Sequence, residues 1–140
     1  MASTHIHVDI VSAEREIFSG EADMVFAPAE QGELGIAPRH APLLTRMKPG
    51  VVRVQADGAE QVFYVSGGIL EIQPHVVTVL SDTAQRAADI DEAAAQEAVR
   101  KAQEALANQS GELDLARAQS ELLENLARLK TLQHLRDKKR

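Results

Sequence analysis

At about residue 86 this 140-residue chain changes material. All five prolines lie between Pro28 and Pro74, and seven of the eight glycines lie between Gly20 and Gly68. Eleven of the twelve valines precede residue 80. Beyond Arg86 the last 54 residues hold twelve alanines and nine leucines. β-Branched residues punctuated by Gly and Pro suit short strands and turns. Ala, Leu, Glu, Gln, Lys and Arg suit helices. The chain therefore reads as two units, 1–86 and 87–140, meeting between Asp82 and Asp89.

The first unit reads as all-β. Residues His5 to Ile10 alternate polar and apolar, the pattern of a half-buried strand. Further strands are expected at Asp23 to Ala27, Leu43 to Lys48, Val51 to Gln55, Gln61 to Val65, Ile69 to Gln73 and Val76 to Leu80. Pro49-Gly50, Asp57-Gly58 and Pro74-His75 separate them, and Asp-Gly is a hairpin signal because Gly readily takes positive φ. This spacing points to a sandwich or flattened barrel. No helical run of ten or more residues separates the strands, so βαβ units are not expected. Between Glu30 and Thr45 a Gly- and Pro-rich stretch with several apolar residues reads as a shaped surface loop, a structural connection or a docking element.

The second unit reads as two helices. Asp91 to Asn108 is free of Gly and Pro, with Asp89 as the expected cap and Glu92 three residues on. Ala95, Ala98, Val99, Ala102, Ala105 and Leu106 form a stripe at helical spacing, small enough for a partner helix to approach closely. Asn108-Gln109-Ser110-Gly111 breaks it. A second helix is expected from Glu112 to Arg136, with Leu115, Ala118, Leu122, Leu126, Leu129 and Leu132 as its stripe. The short connection implies an antiparallel α-helical hairpin. Residues 87–127 carry a net charge of −6 and residues 128–140 a net of +5. A helix dipole accounts for two or three basic residues at a C-terminus; six in thirteen points to an acidic partner as well.

Composition excludes much. The net charge of −6 argues against a nucleic-acid binder. The absence of cysteine removes disulfides, thiol nucleophiles and thiolate metal sites. No apolar run approaches the roughly 20 residues that span a bilayer, and the N-terminus lacks signal-peptide character. The expected location is the cytoplasm or the cytoplasmic side of something larger. His5 and His7 share a strand face and His134 lies far away, without the spacing of a metal site. Ser66-Gly67-Gly68 lacks the lysine and following helix of a phosphate loop. Ser12, Ser66, Ser81 and Ser110 lack a nucleophile elbow, and Glu30 and Glu33 lack an apolar pocket. No catalytic set, metal or cofactor is expected.

Several runs together resemble the ε subunit of bacterial F-type ATP synthases. They are Val11-Ser12-Ala13-Glu14, Phe18-Ser19-Gly20, Gly32-Glu33-Leu34-Gly35-Ile36, His40-Ala41-Pro42-Leu43-Leu44-Thr45, Lys48-Pro49-Gly50, Ser66-Gly67-Gly68-Ile69-Leu70-Glu71 and Asp89-Ile90-Asp91-Glu92-Ala93. The resemblance covers the chain in order. It implies a ten-stranded β-sandwich, a helical hairpin, and a non-catalytic rotor subunit at the cytoplasmic face of the membrane. The sandwich would bind the γ subunit and the c-ring. The hairpin would brake ATP hydrolysis on the α and β subunits. Carried over by residue, Glu33 and His40 match the c-ring-facing loop; Ser12, Thr45 and Ser66 match γ-facing positions. Arg128, Lys130, Arg136, Lys138, Lys139 and Arg140 match the inhibitory helix. Some members bind ATP on the folded hairpin through an Ile/Leu-Asp-x-x-Arg-Ala motif and two last-helix arginines. Ile90, Asp91, Ala95 and Arg128 match, while Ala94 and Glu124 stand where arginines are required, which weakens triphosphate binding. The rival reading is a free-standing β-sandwich adapter with a helical docking arm.

Overall fold

The computed structural model describes residues 4–108 and 111–138. Ten strands come first: β1 (Ile6–Ser12), β2 (Glu16–Ala22), β3 (Met24–Ala29), β4 (Gly32–Ile36), β5 (Leu43–Met47), β6 (Gly50–Ala56), β7 (Ala59–Val65), β8 (Gly68–Ile72), β9 (Val76–Ser81) and β10 (Ala84–Arg86). One turn of 3-10 helix at Ala87–Asp89 leads into α1 (Glu92–Ala107) and α2 (Glu112–Lys138).

The strands form one sheet in the order β10-β7-β6-β3-β5-β8-β9-β1-β2, with β4 added onto β3. Among the described residues the β1–β9 pair alone is parallel, and the chain between the two runs through other strands of the sheet in place of a helical crossover. The sheet curls over its apolar face. Phe18 on β2 then meets Phe63 on β7, ring centroids 5.4 Å apart. Ile6, Val8, Ile10, Val25, Val52, Phe63, Leu70 and Val79 fill the interior with no exposure. The Asp-Gly signal holds: Asp57 and Gly58 take φ of 53° and 78° in the β6–β7 turn. At Gly50 a Cβ would stand 2.7 Å from the Pro28 side chain, so β6 can start this close to β3 only on glycine.

Three expectations need correction. The stretch read as a loop contains β4, because β3 supplies ladder partners that periodicity does not reveal, while β5 starts at Leu43 as expected. The cap of α1 is Asp91, whose carboxylate accepts from the Ala94 N–H at 3.0 Å. Asp89 instead lies in the 3-10 turn, because burial of Ile90 holds the chain extended before the helix starts. On α2, Leu126 leaves the buried stripe, while Ala127 and Thr131 enter it. That helix serves two surfaces. One side meets α1, where Ala95, Ala102 and Ala118 are enclosed. The other meets the sandwich, where Leu132 packs with Tyr64, Ile90 and Ala127, and Leu135 with Val51, Val62 and Ala87.

Candidate functional site

Glu33 stands exposed near the start of β4, opposite Pro28 on β3. Its carboxylate accepts from Arg53 at 3.2 Å, and the same guanidinium reaches Glu60 at 3.3 Å and lies 4.2 Å over the Phe26 ring. Arg53, which patterning passed over as one polar residue of a strand, thus orients Glu33. His40 lies four residues beyond the end of β4. Its Nδ1 is 2.7 Å from the Ala41 carbonyl. The neighbouring Arg39 takes φ of 66° and donates its N–H to the Pro74 carbonyl, which ties this connection to the β8–β9 turn. Glu33 and His40 therefore sit toward opposite ends of β4.

The three positions matched to γ contact separate. Ser12 closes the β1–β2 turn: its hydroxyl donates to the Arg15 carbonyl at 3.0 Å and accepts from the Arg15 N–H at 3.2 Å. Ser66 and Ser81 staple the β7–β8 and β9–β10 connections. Their hydroxyls are 3.1 Å apart, Ser66 accepts from the Thr83 N–H, and Ser81 donates to the Thr83 carbonyl. Ser12 and Ser81 border one shallow depression with Ile69 and Leu80. By register Ile69, Leu80 and Val11 form a row across β8, β9 and β1, an apolar strip on the open face of the sheet. Thr45 lies elsewhere, sharing a depression with Glu33, Leu34 and Leu44.

On the hairpin Arg128 turns inward. Its Nε donates to Gln85 on β10 at 3.0 Å, its Nη1 donates to Asn125 at 2.9 Å, and its guanidinium lies 4.5 Å over the Tyr64 ring. Burial pushes the Tyr64 phenol up to about 12, against the opposing pull of Arg128. Lys130 faces the sandwich rim, Arg136 pairs with Glu92 at the start of α1, and Lys138 is exposed. Lys139 and Arg140 lie outside the described residues, as does Ser110.

Ile90, Asp91 and Arg128 do come together, in a cleft of about 550 Å³ between the helices and β10. The cleft does not suit a triphosphate. The Asp91 carboxylate caps α1, Arg128 is engaged by Gln85 and Asn125, and Glu121 and Glu124 add negative charge to the walls. Ala94 contributes only a methyl group. His5, just before β1, and His7 on it have carboxylate partners. His5 is 2.8 Å from Asp23. His7 reaches Asp9 at 2.9 Å through Nε2 and Glu21 at 3.2 Å through Nδ1, and Ser19 donates to Asp9 at 2.7 Å.

Two family models match in order. Residues 5–87 match the ATP synthase, Delta/Epsilon chain, beta-sandwich domain, and residues 88–133 match its long alpha-helix domain. The chain is 67% identical over 139 residues to the ATP synthase epsilon chain of Nitrosococcus oceani, covering 99% of both chains. It is 63% identical over 132 residues to that of Alkalilimnicola ehrlichii, covering 94% of both. Among solved structures, a chain of the Euglena gracilis mitochondrial ATP synthase shares the fold with a TM-score of 0.84 at 17% identity, over 94% of this chain and 84% of that one. A chain from the Tetrahymena thermophila mitochondrial ATP synthase central stalk and c-ring has a TM-score of 0.60 at 13% identity, over 94% and 99%.

Proposed function

This chain belongs to the ATP synthase delta/epsilon family, and from that premise we propose that it works as the ε subunit of the F-type ATP synthase central stalk. The observation that carries the reading is the match of both units, in order, with a relative aligned over 99% of each chain. The subunit has no catalysis of its own; ATP is made and hydrolysed on other subunits. Among the described residues no helix is long and apolar enough to cross a membrane. The subunit docks peripherally at the cytoplasmic face through its partners.

In this reading the Val11, Ile69 and Leu80 strip, bordered by Ser12, docks on γ, and the β4 surface around Glu33 and His40 meets the c-ring. The strip supplies desolvation, and the Arg53-oriented Glu33 supplies an interfacial charge whose direction is set before docking. The hairpin is a two-state arm. Folded, Arg128 is held by Gln85, Asn125 and Tyr64. Extended, about 48 helical residues reach about 70 Å at 1.5 Å per residue, long enough to enter the catalytic head. Arg128 then joins Lys130 and the basic end of the chain, and acidic surfaces of the α and β subunits replace the lost intramolecular contacts. Attraction between these charges extends over a Debye length of about 8–10 Å.

Two changes to the assembled enzyme test the brake. Deleting residues 128–140 raises the ATP hydrolysis rate. A disulfide engineered across the α1–α2 seam does the same under oxidising conditions, because it holds the arm folded. Unchanged hydrolysis in both overturns the inhibitory role.

A further inference from the structure

Where α2 crosses the rim of the sandwich, a half-open groove of about 380 Å³ follows the helix. That size lies within the range of small-molecule sites, and seams between structural units are where such sites concentrate. Leu123, Leu126, Lys130 and His134 line it from α2 at helical spacing, so they form one stripe. Lys48 and Pro28 line the opposite wall, which the close approach at Gly50 brings into place. The stripe has two chemically distinct ends about 11 Å apart along the helix. At one end Leu123 and Leu126 are 58% and 44% exposed, a patch of hydrocarbon left in water. At the other stand Lys130 and His134. Among the described residues, neither Lys48 nor Lys130 has an ion-pair partner, and the one carboxylate at the groove, Glu33, is already held by Arg53. Among the described residues no Phe, Tyr or Trp lines the groove, and its only ring is the His134 imidazole at the charged end.

We propose that this groove binds a single-chain amphipathic anion, an alkyl phosphate or alkyl carboxylate. Its chain covers Leu123 and Leu126, and its head sits between the Lys48 and Lys130 ammonium groups, where charge-assisted contacts are strongest. One wall belongs to α2 and the other to the sandwich. The ligand therefore binds the docked arrangement alone and favours it by mass action. This assignment stands whether or not the subunit brakes hydrolysis.

The test uses the full-length chain and decyl phosphate below its micelle concentration, followed by calorimetry and by amide chemical shifts. The expected result is saturable one-to-one binding with shifts confined to residues 123–134 and 48–51. Inorganic phosphate and decyltrimethylammonium bind at least tenfold more weakly. The Lys48→Gln/Lys130→Gln pair loses tenfold or more in affinity, as does Leu123→Ser/Leu126→Ser, with thermal unfolding of both variants checked to confirm intact folding. Equal binding of the cationic amphiphile, equal binding of inorganic phosphate, or unchanged affinity in the lysine variant overturns the proposal. So does lysine-dependent sedimentation with phosphatidylglycerol vesicles in the absence of saturable monomer binding, which reassigns the same chemistry to a membrane surface.

Discussion

The sandwich closes over Ile6, Ile10, Val25, Phe63 and Leu70, all fully enclosed, whereas the α1–α2 seam closes over Ala95, Ala102 and Ala118. Enclosing a Val, Ile, Leu or Phe side chain is worth about 1.5–3 kcal/mol, while a methyl-sized group is worth about 0.8 kcal/mol. Per buried side chain, the seam holds itself together several-fold less strongly than the body. What keeps the arm in place is its attachment to the sandwich, through Leu132 on Tyr64, Leu135 beside Val51, and Arg128 on Gln85. One small chain thus joins a body closed over large side chains to a helical arm whose own seam is built from small ones. Large β-branched side chains interlock the sheet. Small side chains on the helices allow close packing that is cheap to undo.

The largest expected effect comes from separating the two units. A fragment of residues 1–86 unfolds cooperatively on heating, because the enclosed Ile, Val and Phe side chains lie within it. A fragment of residues 87–140 shows no cooperative melting, because its seam is mostly alanine. Circular dichroism melts of both fragments check the contrast, and a non-cooperative first fragment breaks it.

A smaller effect separates attachment from body. Arg128→Ala removes the stacking on Tyr64 and the bond to Gln85, a loss of about 1–2 kcal/mol. Hydrogen exchange is expected to speed up across α2 while the protected amides of β7 and β8 change little. Arg128→Lys restores only part of the protection, since an ammonium lacks the planar fork. Uniform acceleration across both units contradicts the detachable arm.

The smallest effect lies on the sheet surface. Hydrogen bonds to Asp9, and then to Glu21, hold His7 above the ordinary histidine value. The stability this contributes is fully present below pH 6.5, the ordinary value, and is lost as pH rises through the higher folded-state value. Exposure keeps it small. An NMR titration of His7 is expected to show a raised midpoint that Asp9→Asn returns toward the ordinary value, with no change in the hairpin.

Strands whose own residues alternate, such as Ile6–Ser12 and Val76–Ser81, were legible because each has one enclosed and one open face. Glu16–Ala22, Gly32–Ile36 and Ala84–Arg86 were not expected as strands from patterning, and all three lie at margins of the sheet. A marginal strand has fewer enclosed side chains, and its backbone is organised by the neighbour it pairs with. The family resemblance singled out Glu33 and Arg128 as candidates, but nothing in the sequence pointed to their partners Arg53, Gln85 and Tyr64. Those partners sit 20, 43 and 64 residues away in sequence, distances over which no local pattern carries information.

Residue types and their order dictate that two materials meet near residue 86, that the first makes short strands and the second a hairpin, and that positive charge concentrates at the end of the last helix. These follow from propensity, periodicity and composition, which act over a few residues at a time. Contacts between distant segments turn Arg128 inward, set Thr45 with Glu33 and apart from Ser12, and leave Leu126 bare beside Lys130. Those outcomes depend on how α2 divides its surface between α1 and the sandwich, and on which strands the curled sheet brings side by side. They are set by packing between distant segments, where each side chain takes the best partner within reach.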